Sequence, residues 1–463
     1  MRDDEDDDDE GRALEVPLIP ESTTTTKDSA GKIRLRWYHW AVVAAVDVIG
    51  PFSTDSYLPN LPRVKKDLSA TSIEAGLGLQ ANWVAKGLAT VVVGAMADSA
   101  KFGRRGAILW SLALFVVGTA ACSTVPASPV GAKLFVVARV VQGMGESGTV
   151  VCSAIARDVL TDVSERVRVL AILGTLRPLA MVVSPTIGGL LGASFGWRTL
   201  FVALGVWGGL LLVVVAASIP ETRPRETISA HFDGFSVVVR RLKGGVRGYF
   251  TEDEGSATPD EASVAVAALF VIAFGFAGIL AYLSVFSVLS EGRFGLSVVA
   301  TALLLGTVPA VIVISNGLVA RRFSDDRERT SDATAKAVGV VAFGLRGLVL
   351  SAGLSLFFAL GPHLLRTSIL PVMAAVYVYA VFFAGAALGP TNALVVQPFP
   401  DCAGAASAFQ LVARTLVSTA AAQAATDLVD LLSVRGFYFV LAFTALACQL
   451  AWPFLLGRCR LFS

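Results

Sequence analysis

The sequence predicts an all-α membrane protein with twelve transmembrane helices in two pseudo-symmetric six-helix bundles. Three observations carry that expectation. The 463 residues are 54 % hydrophobic and 16 % charged, against about 25 % charged in soluble domains. Apolar residues gather into twelve stretches, each near the roughly 20 residues a helix needs to cross a bilayer. Those stretches form two sets of six, separated by one charged segment. Lipid offers backbone amides no partners, so every stretch has to be a helix.

Residues 1–36 begin with an almost wholly acidic block and continue through a polar run, which predicts a disordered acidic cytoplasmic tail without a positively charged leader. The N-terminal bundle, 37–220, holds spans 37–58, 73–97, 106–125, 132–156, 167–192 and 196–219. A cytoplasmic linker, 221–262, follows Pro220; within it, 231–243 fits either a short amphipathic surface helix or a partly ordered tether. The C-terminal bundle, 263–457, holds spans 263–289, 297–320, 337–361, 367–395, 403–428 and 434–456, and 458–463 is a short cytoplasmic tail. Two six-helix halves joined by a polar linker are the layout of a secondary transporter, whose site lies between the halves near the midplane.

Basic residues orient the spans. Lys32, Arg34, Arg36, Lys101, Arg104, Arg105, Arg157, Arg166 and Arg168 share one side with the linker bases and with Arg321, Arg322, Arg327 and Arg329. The opposite loops carry only Arg63, Lys65, Lys66 and isolated arginines such as Arg198, Arg293 and Arg435. Both termini are therefore expected in the cytoplasm, as an even number of spans requires.

Enzyme chemistry has nothing to stand on. The five cysteines are scattered, the three histidines isolated, and neither HExxH nor GxSxG occurs. Gly143-Met-Gly145-Glu-Ser-Gly148 fits GxGxxG, but that fingerprint works at a strand-to-helix turn and here lies inside a bilayer-length helix. No metal, organic cofactor or nucleic acid is implied. A monomer in a plasma or organellar membrane, with a small solute, protons and lipid as its partners, is the expectation.

Motifs add a resemblance. Pro51-Phe-Ser-Thr-Asp55-Ser-Tyr57-Leu-Pro59-Asn-Leu-Pro62 resembles the STDxYLPxLP signature of the Bcr/CflA family, and Arg139-Val-Val-Gln142-Gly143-Met-Gly145 is similar to RxxQGxG of the major facilitator superfamily. Ser184-Pro185-Thr-Ile-Gly188-Gly189 resembles the antiporter motif GPxxGG, and Gly389-Pro-Thr-Asn392 extends the likeness into the second half. The resemblance implies a major facilitator fold, proton-coupled drug export by alternating access, and a part for Arg139 in proton coupling. It also implies gating and packing roles for Pro185, Gly188 and Gly189, and for Gly94, Asp98, Gly103, Arg104 and Arg105 of the GxxxDxxGRR-like loop. That loop carries two extra residues between Asp98 and Gly103.

Charges inside the spans are the sharpest functional signal, because each costs several kcal/mol in lipid unless paired or wetted. At ~1.5 Å per residue, Asp47, Lys86, Glu146 and Arg177 sit about 14–18 Å from the cytoplasmic ends of their spans. Asp55 and Arg139 lie deeper, each about 27 Å from that end. Matching depth makes Asp55 and Arg139 expected partners in at least one state and the first candidates for proton coupling, with Asp47 next. Glu146 is expected to pair with Arg177 or Lys86, leaving the other base for an anionic group on the solute. Gln142 and Arg414 complete the expected substrate cavity, with Phe52, Tyr57, Trp83, Tyr282, Phe286, Tyr377 and Tyr379 as candidate walls. Three functions fit: a proton-coupled exporter of small amphipathic molecules, an organic-anion or metabolite carrier on the same scaffold, and a non-transporting sensor or scaffold.

Overall fold

The computed structural model describes residues 35–99, 102–160, 163–222, 261–324, 333–362, 368–396 and 403–451. The acidic tail up to residue 34, nearly all of the linker with its candidate surface helix, and the C-terminal tail lie outside the described residues. Within them the first bundle comprises α1 (Trp37–Tyr57), a 3-10 turn (Leu58–Asn60), short α2 (Leu61–Asp67), α3 (Ser72–Asp98), α4 (Gly103–Thr124), α5 (Pro129–Gly145), α6 (Thr149–Val159), α7 (Val163–Phe195) and α8 (Trp197–Ser218). The second comprises α9 (Glu261–Gly292), α10 (Val298–Ser324), α11 (Ala333–Leu360), α12 (Leu370–Ala380), α13 (Leu388–Val396), α14 (Ala403–Leu432) and α15 (Val434–Ala447).

Over its described residues each expected span forms helix, and two are interrupted. A 3-10 turn at Glu146–Gly148 separates α5 from α6, and a π-helical stretch at Val381–Ala387 separates α12 from α13. Both had read as single helices, because hydropathy is blind to hydrogen-bond register. Freed carbonyls in the π stretch find partners across the bundle, as where the Ser315 hydroxyl donates to the Val381 oxygen at 3.2 Å. Helix starts follow their capping residues. The Thr71 hydroxyl accepts from the Glu74 amide at 3.1 Å while the Glu74 carboxylate accepts from the Thr71 amide at 3.0 Å, a reciprocal cap for α3. Between α7 and α8 the chain turns at Gly196, whose φ of 87° is open to glycine and strained for other residues.

On length and composition alone, seven of the described helices can cross a membrane. Of the five spans that fall short, four hold Asp47 and Asp55, Lys86, Arg139 and Glu146, or Arg414, and the fifth ends in the short helix Val434–Ala447. Interruption by the 3-10 turn accounts for the span of Arg139 and Glu146, whose helices are 17 and 11 residues long.

The bundles meet along two antiparallel helix pairs. On the α7–α10 seam, Gly189 faces Ala302 and Gly306 faces the Val182 carbonyl; on the α3–α14 seam, Gly76 faces Thr426 and Gly87 faces Thr415. These contacts run from the end that carries the α7–α8 and α9–α10 turns to about mid-span. That end is closed.

At the same end the Trp197 indole N–H donates to the Asp67 carboxylate at 3.1 Å, and the Arg198 guanidinium donates to the same oxygen. Arg198 also lies 4.3 Å over the Trp197 ring and donates to the Val125 carbonyl at 3.0 Å. The Arg198 bond holds the Asp67 carboxyl below the usual carboxylate range. A lowered folded pKa gives stability that is present above the ordinary carboxylate value and lost as pH falls through the lowered one. We therefore expect a small acid-side drop in melting temperature, below about pH 4, that Asp67→Asn removes; an identical drop in the variant, followed by thermal unfolding across pH, would refute the clamp.

Candidate functional site

Interior polarity is built on α1. Gly50, Ser53, Thr54 and Tyr57 recur at helical spacing and share one face. That face meets the 3-10 turn carrying Glu146, which is wholly buried. The Glu146 carboxylate accepts from the Ser53 hydroxyl at 3.0 Å, the Thr54 hydroxyl at 3.3 Å, the Asn82 amide at 3.2 Å and the Lys86 ammonium at 3.3 Å. Gly50 makes the room: a Cβ there would stand 2.7 Å from the Lys86 nitrogen.

The network continues outward. Gln142 donates to Ser53 and to Thr119, each at 3.1 Å, and its carbonyl accepts from the Arg139 guanidinium. Arg139 is fully buried, donates to the Gly78 carbonyl at 3.0 Å and lies 4.9 Å over the Tyr57 ring. A second ion pair sits beside the network: Arg177 grips Asp47 through two hydrogen bonds of 2.8 and 2.6 Å, and Asp47 is fully buried.

One sequence expectation is corrected and another is not met in this conformation. With Glu146 on Lys86, the remaining base was to stay free for the solute; Arg177 is instead held by Asp47. Asp55 and Arg139, expected to meet in at least one state, leave that expectation untested: they share a depth but are not joined in this conformation. The reason is azimuth. Tyr57 packs under Arg139, and Asp55 lies about 200° around α1 from Tyr57, so it points away. Asp55 is 3 % exposed, and among the described residues neither carboxyl oxygen has a hydrogen-bond partner.

Side chains of Lys86 and Arg177 retain 21 % and 40 % exposure. Both stand well away from the lipid-facing stripes of their helices, Leu77, Leu88 and Val92 on α3 and Ile172, Leu179, Val183, Ile187 and Leu190 on α7. Their open sides therefore face the space between the bundles. Arg414, on α14, sits with its guanidinium carbon 4.3 Å from the Phe276 ring centre. Of the candidate walls, Tyr57, Tyr282, Phe286 and Tyr379 are buried in bundle cores and Phe52 packs on Trp207, leaving Trp83 and Tyr377 at the interior surface.

The gating candidates lie at three places. Gly103 has φ of 66° and hosts the Glu221 carboxylate, which accepts from the Arg104 and Arg105 amides at 2.8 and 3.1 Å and so caps α4. Arg104 pairs with Asp158 at 2.7 Å, and the Arg105 guanidinium donates to the Ala216 carbonyl. These bonds tie the first bundle to itself. Gly94 has open space around it, and the Asp98 side chain lies outside the described residues. Pro185 lies within α7, where Gly188 closes on the Ser56 carbonyl and Gly189 on Ala302. Sequence reasoning missed Ser53, Thr54 and Asn82 as Glu146 ligands; the small polar character of Ser53 and Thr54 on the Gly50 face of α1, and an amide one turn from Lys86 on α3, were the available signals.

Comparison with known proteins bears on family and fold. The family model described as Major Facilitator Superfamily matches residues 44–422. YdgK of Bacillus subtilis, named an uncharacterized MFS-type transporter, is 29 % identical over 279 residues, 60 % of this chain and 63 % of its own. The multidrug resistance protein MdtL of Shigella flexneri is 32 % identical over 181 residues, 39 % of this chain and 44 % of its own. The chain thus spans less than two thirds of the length of either relative. Solved structures share the fold: a peptide transporter POT in complex with sulfate, at TM-score 0.68 and 14 % identity over 94 % of this chain and 98 % of that one, and a D-xylose–proton symporter at TM-score 0.64 and 17 % identity over 90 % and 98 %.

Proposed function

The chain belongs to the major facilitator superfamily, and on that premise we propose that it exports small amphipathic molecules by alternating access, driven by protons moving the other way. It is an integral membrane transporter and not an enzyme. Support for the multidrug type comes from the likeness to a multidrug resistance protein. In this reading the protein works as a monomer with both termini in the cytoplasm, and the proton gradient stands where a cofactor would.

Asp55 carries the proton coupling. Burial and exposure favour opposite protonation states of a carboxyl. Rocking of one bundle against the other moves an interior acid between dry and wet surroundings, so the motion and the proton become linked. Asp55 is buried without a donor while the seam end is closed, and it lies on the helix that also carries the Glu146 network and the Asp47 pair. Those two acids hold partners in this conformation, which leaves Asp55 as the acid whose surroundings have most to gain from opening.

Asp55→Asn in proteoliposomes is expected to abolish transport driven by an imposed pH gradient while solute exchange without a gradient continues. Folding should be intact, because the amide replaces an acid with no bonded partner. Unimpaired gradient-driven transport in the variant would remove Asp55 from the mechanism.

A further inference from the structure

We propose that Arg414, Phe276 and Trp83 form a solute subsite for an aromatic carboxylate, held between the two bundles; this rests on the transporter reading and names its substrate class. Among the interior bases named above, three are held by protein groups and Arg414 stands apart. Lys86 is paired with Glu146, Arg177 with Asp47, and Arg139 is bonded to Gly78 and Gln142 and stacked on Tyr57. Arg414 has no acidic partner among the described residues, and its Nε is buried without an acceptor. Its face is covered by Phe276, 4.3 Å from the guanidinium carbon.

Phe276 also contacts the other bundle. Its ring centre is 5.5 Å from that of Trp83, whose indole N–H is buried and lacks an acceptor. Two donors therefore flank one aromatic ring, one from each bundle. Guanidinium and indole can only donate, so neither an ammonium nor an apolar group completes them. A carboxylate supplies two acceptor oxygens and matches the planar fork of arginine. The rings of Phe276 and Trp83 offer faces to a flat apolar body attached to it. Because Trp83 belongs to α3 and Arg414 to α14, the occupant bridges the α3–α14 seam.

The test uses the full-length protein in lipid nanodiscs with 2-naphthoate, 2-naphthylmethanol and 2-naphthylmethylammonium as calorimetric probes. Wild type is expected to bind naphthoate more tightly than the other two. Arg414→Gln should weaken naphthoate about tenfold or more, as loss of a charge-assisted bond does, while binding of the alcohol changes little. Its melting temperature should stay level or rise, since an unpaired buried charge has been removed. Arg414→Lys should fall between, and Trp83→Phe should weaken naphthoate selectively. Equal naphthoate affinity in wild type and Arg414→Gln overturns the subsite. So does loss of all three probes together with a lowered melting temperature, which would mark Arg414 as structural. Absence of gradient-driven transport alongside intact naphthoate selectivity would sink the exporter reading and leave the subsite standing.

Discussion

Arg177→Gln is expected to destabilise the protein by about 3–5 kcal/mol, and Asp47→Asn introduced with it should restore most of the loss. The asymmetry between single and double changes is the point. Asp47 is fully buried, and both bonds given for its carboxylate come from Arg177. Removing the guanidinium strands a carboxylate in a low-dielectric interior, whereas the Asn–Gln pair has no charge to strand. Glu146 makes a contrasting case. Three neutral donors, Ser53, Thr54 and Asn82, remain on its carboxylate when Lys86 is replaced by Gln. Lys86→Gln should therefore cost less than Arg177→Gln. Glu146→Gln should cost more than Lys86→Gln, because it turns an amide N–H₂ toward donors and leaves the ammonium alone. Adding Lys86→Gln to Glu146→Gln should recover stability. Denaturation midpoints for the four single and two double variants decide the matter; additive losses within each pair would show that the pairs are not energetically coupled.

Depth and type were legible in the sequence, and direction was not. Twelve apolar runs and one polar linker specify the helices because a bilayer leaves the backbone no alternative. Counting residues from basic boundaries placed Asp47, Lys86, Glu146 and Arg177 at one level, and the structure joins these four in two ion pairs. Which acid meets which base depends on rotation about each helix and on which helices are neighbours. Asp55 and Arg139 share a level yet lie on different sides of Tyr57. The choice of Asp47 for Arg177 follows from α1 packing on α7, a tertiary fact with no one-dimensional trace. The π-helical stretch at Val381–Ala387 was equally hidden, since its composition is that of an ordinary apolar helix. Trp83 and Arg414 were visible as single residues; their meeting at Phe276 needed both bundles in place.

Gly306→Leu is expected to hold the closed end open and to shift the protein toward the opposite-facing state. The α7–α10 seam is the tighter of the two. A Cβ at Gly306 would stand 2.6 Å from the Val182 carbonyl oxygen, and one at Gly189 would stand 2.6 Å from the Ala302 Cβ. The α3–α14 seam is looser, with the corresponding distances at Gly76 and Gly87 no shorter than 3.5 Å. Backbone cannot yield as the tip of a flexible side chain does, so a leucine at Gly306 has to push α10 off α7. Overpacking of this kind costs about 1–3 kcal/mol. Charged against the closed state alone, it moves a two-state equilibrium by roughly five- to 150-fold. Spin labels at Phe195 and Leu431, both exposed and on opposite bundles at this end, should report longer distances in Gly306→Leu and an intermediate shift in Gly306→Ala. Gly209 has open space around it, so Gly209→Leu serves as the control and should leave the distances unchanged. An unaltered distribution in Gly306→Leu would mean that the α7–α10 contact does not set the access state. The closed end would then have to be held by the α3–α14 seam instead.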